Sequence, residues 1–383
     1  MNHNGDQKNT QMETNRSSPD LILLIIVLCL VAIGLIMVFS SSATLAQSRY
    51  GESYYFLRRQ AVWALLGFIG MYIASRIRYW KWKDLSVPLL ALNFFLLAAV
   101  FIPGIGAEVH GAERWLYVNG ITIQPAEFTK LALVICVSTY IARCINESQL
   151  KSIVISILIV GTSCFLILLQ PDMGTTIAVV LTAFVIIFVA GVNLIYILGL
   201  GSASIPIVFS LVMGEQYRIQ RLLSFLNPWE DPMGSGYQVI QSLYALGPGG
   251  LIGSGLGRSR QKLFYLPEPH NDFIFAVLGE ELGFIGTFLV VALFLALIWR
   301  GYKIAVHAPD FFAALLAAGI TAMIGLQAFI NIGVVTASIP VTGINLPFIS
   351  AGGSSLFFTL VGIGILLNIS KHTRKNSREK INL

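Results

Sequence analysis

The sequence predicts an all-α integral membrane protein, a polytopic bundle of about ten transmembrane helices with one large extracytoplasmic loop. Three observations predict it. Hydrophobic residues make up 56% of the chain and charged residues only 11%, with a mean hydropathy of +0.76. A soluble domain carries roughly a quarter charged residues, so this chain lacks the polar surface to meet water on all sides. Apolar runs of about 20 residues, the length that crosses a bilayer, recur along it. Its basic residues are also unevenly shared between the segments that join those runs.

Residues 1–18 have no apolar pattern and are expected to form a disordered cytoplasmic tail. Ser17-Ser18-Pro19-Asp20 then caps the first span, whose apolar run is too long for a signal-peptide core. The spans fall at roughly 21–39, 58–75, 87–102, 125–142, 152–169, 174–191, 193–213, 272–299, 312–331 and 350–369. Together they form one ten-helix domain over 19–370, followed by a basic cytoplasmic tail at 371–383. The N-terminal tail, 76–86, 143–151, 300–311 and the C-terminal tail hold 15 Lys and Arg. The opposite short loops and helix ends hold five: Arg49, Arg58, Arg59, Arg114 and Lys130. By the positive-inside rule both termini are cytoplasmic, as an even number of spans requires. The same asymmetry accounts for a pI near 9.1 without nucleic acid as a partner. Cys29, Cys136, Cys144 and Cys164 lie in or at the ends of apolar runs without metal-ligand spacing, and read as small core residues.

Two outer segments stand out. The first, 103–124, contains Gly111-Ala112-Glu113-Arg114-Trp115. The second, 214–271, is the longest polar connection, and a long loop in a compact protein is usually functional or disordered. Residues 217–226 read as an amphipathic helix on the membrane, 227–232 as a turn and 237–246 as a second short helix. The Gly-rich stretch 247–257 follows no strand and is no dinucleotide fingerprint; it reads as a re-entrant or surface turn.

An ionisable group at membrane depth is costly and marks a candidate site. Glu127 and Lys130 lie three apart on one helical face, which suits a functional pair or a plain ion pair. Asp172, after Gln170-Pro171, would serve equally as a helix cap. Asp272 opens the eighth span at the mouth of the bundle, as a cap or as a functional carboxylate. Glu280 and Glu281 lie eight and nine residues further on, roughly 12–14 Å deeper along a straight helix, and read as buried structural groups paired with another helix. Arg114, Arg218, Arg221, Arg258, Arg260 and Lys262 project from outer segments, where they suit phosphate oxygens or anionic lipid headgroups. One carboxylate near several arginines at a bilayer interface suits a lipid-linked diphosphate substrate, with the acid as general base.

Several motifs resemble the SEDS family of shape, elongation, division and sporulation proteins, in its order, from about residue 19 to 370. They are 111–115, Gln124-Pro125-Ala126-Glu127-Phe128-Thr129-Lys130-Leu131, Gln170-Pro171-Asp172-Met173-Gly174-Thr175, Asn227-Pro228-Trp229-Glu230-Asp231-Pro232, Ser254 to Lys262, Leu266 to Gly283, Pro340-Val341-Thr342-Gly343 and Gly352-Gly353-Ser354-Ser355. The texture of 227–270 is closest to the division and sporulation branch. The resemblance implies a peptidoglycan glycosyltransferase that polymerises lipid II, an undecaprenyl-diphosphate-linked disaccharide pentapeptide, beside a class B penicillin-binding transpeptidase. It places the family's essential aspartate on Asp272, its membrane-cavity pair on Glu127 and Lys130, and a further acidic position on Asp172. Lys130 is expected to orient the carboxylates and, as a nearby cation, to favour the ionised form of Asp272, and Arg114, Asp172, Arg218, Arg221, Arg258, Lys262 and Ser354 to contact substrate. Glu113 and Ala126 depart from the family pattern, Glu113 by adding negative charge beside Arg114. No cofactor is assigned; a divalent cation held by Asp272 and another acid stays open, although no cluster has ligand spacing. A lipid II transporter and a non-catalytic scaffold that recruits the transpeptidase are the alternatives.

Overall fold

The computed structural model describes residues 18–109, 112–118, 121–145, 147–263 and 265–373. Most of the N-terminal tail, most of the basic C-terminal tail and Gly111 lie outside them. Ten helices coincide with the ten expected spans: α1 (Leu21–Tyr50), α2 (Tyr55–Arg76), α4 (Ser86–Ala99), α5 (Pro125–Cys144), α6 (Gln149–Leu169), α7 (Met173–Val189), α8 (Leu194–Met213), α11 (Ile274–Val306), α12 (Phe311–Val335) and α13 (Gly353–Ser370). Among the described residues six of these, α1, α5, α6, α11, α12 and α13, are long and apolar enough on their own to cross a membrane. The chain is therefore a polytopic helical membrane protein. Short helices α3 (Lys81–Asp84), α9 (Gln216–Leu226) and α10 (Tyr237–Leu246) complete the set, the last two where the long polar segment is amphipathic.

Capping chemistry sets several boundaries. Asp20 Oδ1 accepts the Leu23 N–H at 3.0 Å and opens α1. The helix runs 11 residues beyond its expected end at residue 39 and stops at Gly51, whose φ of 73° lets its N–H close back on the Gln47 carbonyl. Asp310 caps α12 in the same way as Asp20, with Oδ1 2.9 Å from the Ala313 nitrogen.

The all-α expectation needs one correction. Residues 106–123 form a small antiparallel sheet, β1 (Gly106–Val109), β2 (Ala112–Val118) and β3 (Ile121–Ile123), in that spatial order. Leu116 packs on Ala99 and Val100 at the end of α4, and the Arg59 guanidinium donates to the Thr122 hydroxyl, so α2 and α4 hold the sheet against the bundle.

The two ends of the bundle are built differently. At one end the first and last helices meet: the Asp20 N–H donates to Ser370 Oγ at 3.1 Å, and Arg300 reaches Asp20 Oδ2 at 2.6 Å. There too Tyr79 donates to Asp310 at 2.6 Å, and Asn368 ties Ser75 to Tyr79. Hydrogen bonding to Asp310 adds to burial in pushing the Tyr79 phenol well above its usual range. Asp272 lies at the opposite end. Between them α2 and α13 pack closely: a methyl on Gly364 would overlap the Met71 carbonyl and stand 2.8 Å from Ala74 Cβ. Small residues that bring backbones together are how helices associate where lipid removes the hydrophobic drive.

Helix α5 is buried on nearly every face from Pro125 to Thr139. Its polar groups are answered internally: Thr129 donates to Asn93 at 2.6 Å, and Asn93 to Ser163 at 3.2 Å. This helix carries Glu127 and Lys130 inside the protein rather than toward lipid.

Candidate active site around Asp272

The turn that presents Asp272 is stapled from behind. The Asn331 amide donates to the Asp272 carbonyl at 2.8 Å and to the Ile344 carbonyl at 2.7 Å, bridging the turn to the irregular stretch after α12. Ser350 Oγ donates to the Asn271 carbonyl at 2.7 Å, the Ala351 N–H donates to the His270 carbonyl at 2.9 Å, and Gln60 holds the Ser350 carbonyl at 3.1 Å. A Cβ at Gly343, whose φ is +74°, would stand 3.6 Å from Asp272 Oδ2, so glycine keeps that side of the carboxylate open.

Asp272 is not a helix cap. Helix α11 begins two residues later at Ile274, its N-cap is Phe273, and no side chain caps it. The carboxylate therefore lies outside the spanning helix, half-buried. Burial and the nearby charge of Glu268 raise its pKa to about 6, with a smaller upward push from Asp172; Arg221 and Arg114 pull the other way without winning. This corrects the expectation that a nearby lysine holds it ionised. Lys130 is committed elsewhere, 2.7 Å from Glu127 Oε2 in a pair with both side chains buried. Lys130 borders a small cavity between α5 and α7, lined also by Leu133, Val134, Val179 and Ile186.

The partners of Asp272 come from separate parts of the chain. Asp172 does cap α7, through Oδ1 to the Thr175 N–H at 3.0 Å, while Oδ2 accepts from Thr175 Oγ1 at 2.8 Å and from Gln124 Nε2 at 3.3 Å. Gln124 also donates its main-chain N–H to Ser354 Oγ at 3.3 Å, so Ser354 fixes the start of α5. Arg114, on β2, donates to the Gln170 carbonyl at 2.9 Å and the Pro171 carbonyl at 2.5 Å, which orients its guanidinium beside Asp172. Arg221, on α9, reaches the Val341 carbonyl at 3.5 Å, and Arg218 shares that helix.

Lys262 and Arg258 are not part of this gathering. Lys262 turns inward: its ammonium is buried 2.8 Å from Glu281 Oε1 and 3.2 Å from Ser40 Oγ. The reading of Lys262 as a substrate contact is corrected on that geometry, because a diphosphate would have to displace Glu281. Arg258 is exposed on the Gly-rich turn, and Arg260 is exposed while its N–H donates to Glu280 Oε1 at 2.7 Å.

Helix α11 is broken at Gly283, with φ 64° and ψ −164°, so a single straight span from 272 is also corrected. The 23 residues from Phe284 to Val306 are long enough to cross a bilayer at about 1.5 Å each. Glu280 and Glu281 sit just before the break. They do not meet Asp272, and their partners are the segment 254–262 and Ser40 of α1: Glu280 takes the Ser259 hydroxyl at 2.5 Å, and Glu281 takes the Ser40 hydroxyl at 2.6 Å. Among the described residues no group of three or more His, Cys, Asp and Glu could hold a metal ion.

Sequence reasoning missed Glu268, His270, Asn271 and Asn331. The signal for the first three was Pro267-Glu268-Pro269-His270, a stiff polar turn just ahead of a costly acid.

Residues 20–375 match the FtsW/RodA/SpoVE family of cell cycle proteins. Stage V sporulation protein E of Bacillus subtilis is 48% identical, over 95% of this chain and 100% of that protein. A probable peptidoglycan glycosyltransferase FtsW of Geobacter sp. strain M18 is 43% identical, over 93% of this chain and 97% of its own. Among solved structures, a chain of a peptidoglycan synthase complex that coordinates polymerization and crosslinking superimposes with a TM-score of 0.76 at 30% identity, covering 94% of this chain and 99% of that one. The rod shape determining protein RodA of Thermus thermophilus gives 0.68 at 26%, covering 94% and 98%. A match that runs through α1 to α13 and through every segment that builds the Asp272 turn leaves one conclusion: the chain is a multi-pass membrane protein of the FtsW/RodA/SpoVE family.

Proposed function

We propose that the protein is a peptidoglycan glycosyltransferase that polymerises lipid II at the outer face of the cytoplasmic membrane, with a class B penicillin-binding transpeptidase as its partner. The observation that carries this reading is a single acid of raised pKa, Asp272, at the bundle end where Arg114, Arg221 and Asp172 converge. Asp272 takes the proton of an acceptor sugar hydroxyl, and that oxygen attacks the anomeric carbon of the lipid-linked donor. The bond to the diphosphate breaks, the carbon inverts, and undecaprenyl diphosphate leaves with its charge held by Arg114 and Arg221. A base with a pKa about 6 is ionised at neutral pH and still basic enough to draw the proton. Arg218 belongs to the same diphosphate cradle, and exposed Arg258 to lipid headgroups. The positive-inside rule supports the orientation, since the end that joins the first and last helices also carries Arg76, Arg78, Lys81 and Arg300. The names of the FtsW relatives and the synthase complex support the activity and the partner.

Purified protein with its transpeptidase, given labelled lipid II, is expected to yield glycan ladders on gels, and Asp272→Asn to yield none while still binding the partner. Translocation of lipid II in liposomes without ladders would replace the enzyme by a transporter. Ladders from Asp272→Asn would move the base elsewhere.

A further inference from the structure

Four residues before Asp272, Glu268 holds a backbone conformation that its type rarely adopts. Its φ is +48°, in the left-handed region where a residue with Cβ is strained, between two prolines that stiffen the chain. Strain of this kind persists only where the surroundings over-determine it, and it gathers at functional sites. The surroundings here do so. The Asn271 N–H closes the turn on the Glu268 carbonyl at 3.1 Å, and Asn271 Nδ2 donates to Glu268 Oε2 at 2.7 Å. His270 Nε2 lies 3.8 Å from the same oxygen, and its ring is wedged against Phe56 with centroids 4.5 Å apart. The turn is then fastened to residues 350 and 351 by the main-chain bonds of His270 and Asn271. The product is a second carboxylate fixed on the same rigid turn as Asp272.

Resting on the glycosyltransferase reading, we propose that Glu268 is a positioning residue for the reaction: its charge, locked in place by the left-handed turn, sets how strongly Asp272 draws and keeps the proton of the acceptor hydroxyl. The charges that act on Asp272 are those of Glu268, Arg221, Asp172 and Arg114, and the influence of Glu268 is the largest among them. His270 does not cancel it. Burial first, and then the charge of Arg49, lower the imidazole pKa against the upward pull of Glu268, which favours the neutral ring. A negative neighbour disfavours a second negative charge, and so strengthens Asp272 as a base.

The test is the pH profile of glycan polymerisation by the full-length protein with its transpeptidase. Wild type is expected to lose rate below an acid limb near pH 6. Glu268→Gln keeps an oxygen for Asn271 but removes the charge, and is expected to move that limb down by about half a unit or more. Glu268→Asp keeps the charge, and is expected to hold the limb near its wild-type position. If Glu268→Gln does not fold, Glu268→Asn supplies a neutral side chain that suits the left-handed region, and the same downward move is expected. A limb unmoved in the neutral variants, or moved equally in Glu268→Asp, overturns the proposal. A wild-type profile without an acid limb, or a limb that survives Asp272→Asn, strikes the general-base reading itself.

Discussion

Replacing Lys262 by methionine tests how the long polar segment is anchored. The Lys262 ammonium lies 2.8 Å from Glu281 Oε1 and 3.2 Å from Ser40 Oγ, and the Ser40 hydroxyl donates to the other Glu281 oxygen at 2.6 Å. Glu281 is 0% exposed and Lys262 is 8% exposed. In Lys262→Met the carboxylate keeps the Ser40 hydroxyl and the Ser259 N–H at 3.3 Å, but loses its counter-charge. Removing one partner of a buried pair costs about 3–5 kcal/mol. The two surviving donors put the expected loss at the lower edge, about 3 kcal/mol. Removing both charges should cost far less: Lys262→Met with Glu281→Gln is expected within about 2 kcal/mol of wild type, because no unpaired charge stays buried. Unfolding free energies of the four proteins, from dodecyl sulfate titration in mixed micelles, give the coupling directly. A loss under about 1 kcal/mol in Lys262→Met, the size of an exposed ion pair, would refute the argument. So would single losses that simply add.

Three further outcomes follow from the same geometry. If Asp272 is the general base proposed, it acts ionised, and with its pKa raised to about 6, polymerisation by the wild type should fall about tenfold for each pH unit below that value; a flat profile from pH 5 to 8 would contradict it. Gly364→Ala sets a methyl against the Met71 backbone and should cost about 1–3 kcal/mol in the micelle titration, whereas Gly161→Ala, in open space, should cost nothing measurable. Asp20→Asn keeps an oxygen to cap α1 but gives up the charge that faces Arg300, which is 26% exposed; a loss of about 1 kcal/mol is expected, and a gain would show that the pair does not hold α1 to α11.

The helices were legible because hydropathy and capping act locally. Asp20 and Asp310 start helices where the chain turns apolar, and the two short helices of the long segment are amphipathic over nearly the residues that form them. The sheet was missed for a different reason. Strands of four, seven and three residues fit inside a segment dominated by its charged motif, although the sequence between β2 and β3 is Asn119-Gly120, a strong hairpin signal. The break in α11 was also illegible. Gly283 reads as one more glycine in an apolar run until Leu251 and Gly253 are brought against it, and a side chain there would meet their backbone. Pairings between distant segments explain the remaining misses. Spacing set Glu127 against Lys130, three residues apart, but nothing local tells that Lys262 will turn inward to Glu281 while Arg221 stays with Asp272.

The same limit explains why Glu113 is no obstacle to an anion-binding Arg114. In the sequence the two stand side by side, and the extra negative charge counts against a phosphate site. On a strand successive side chains point to opposite faces. Both residues lie in β2, where Arg114 is half-buried against the turn between α6 and α7 and Glu113 is exposed. Arg114 gives two of its five N–H groups to the Gln170 and Pro171 carbonyls. Those bonds orient the planar fork without neutralising it, because carbonyls carry no formal charge. An arginine fixed by neutral acceptors keeps its full attraction for a diphosphate, whereas one paired to a carboxylate would have to break that pair first. Arg114, held by backbone carbonyls, is therefore free to take the role proposed for it, whereas Lys262, paired with Glu281, is not.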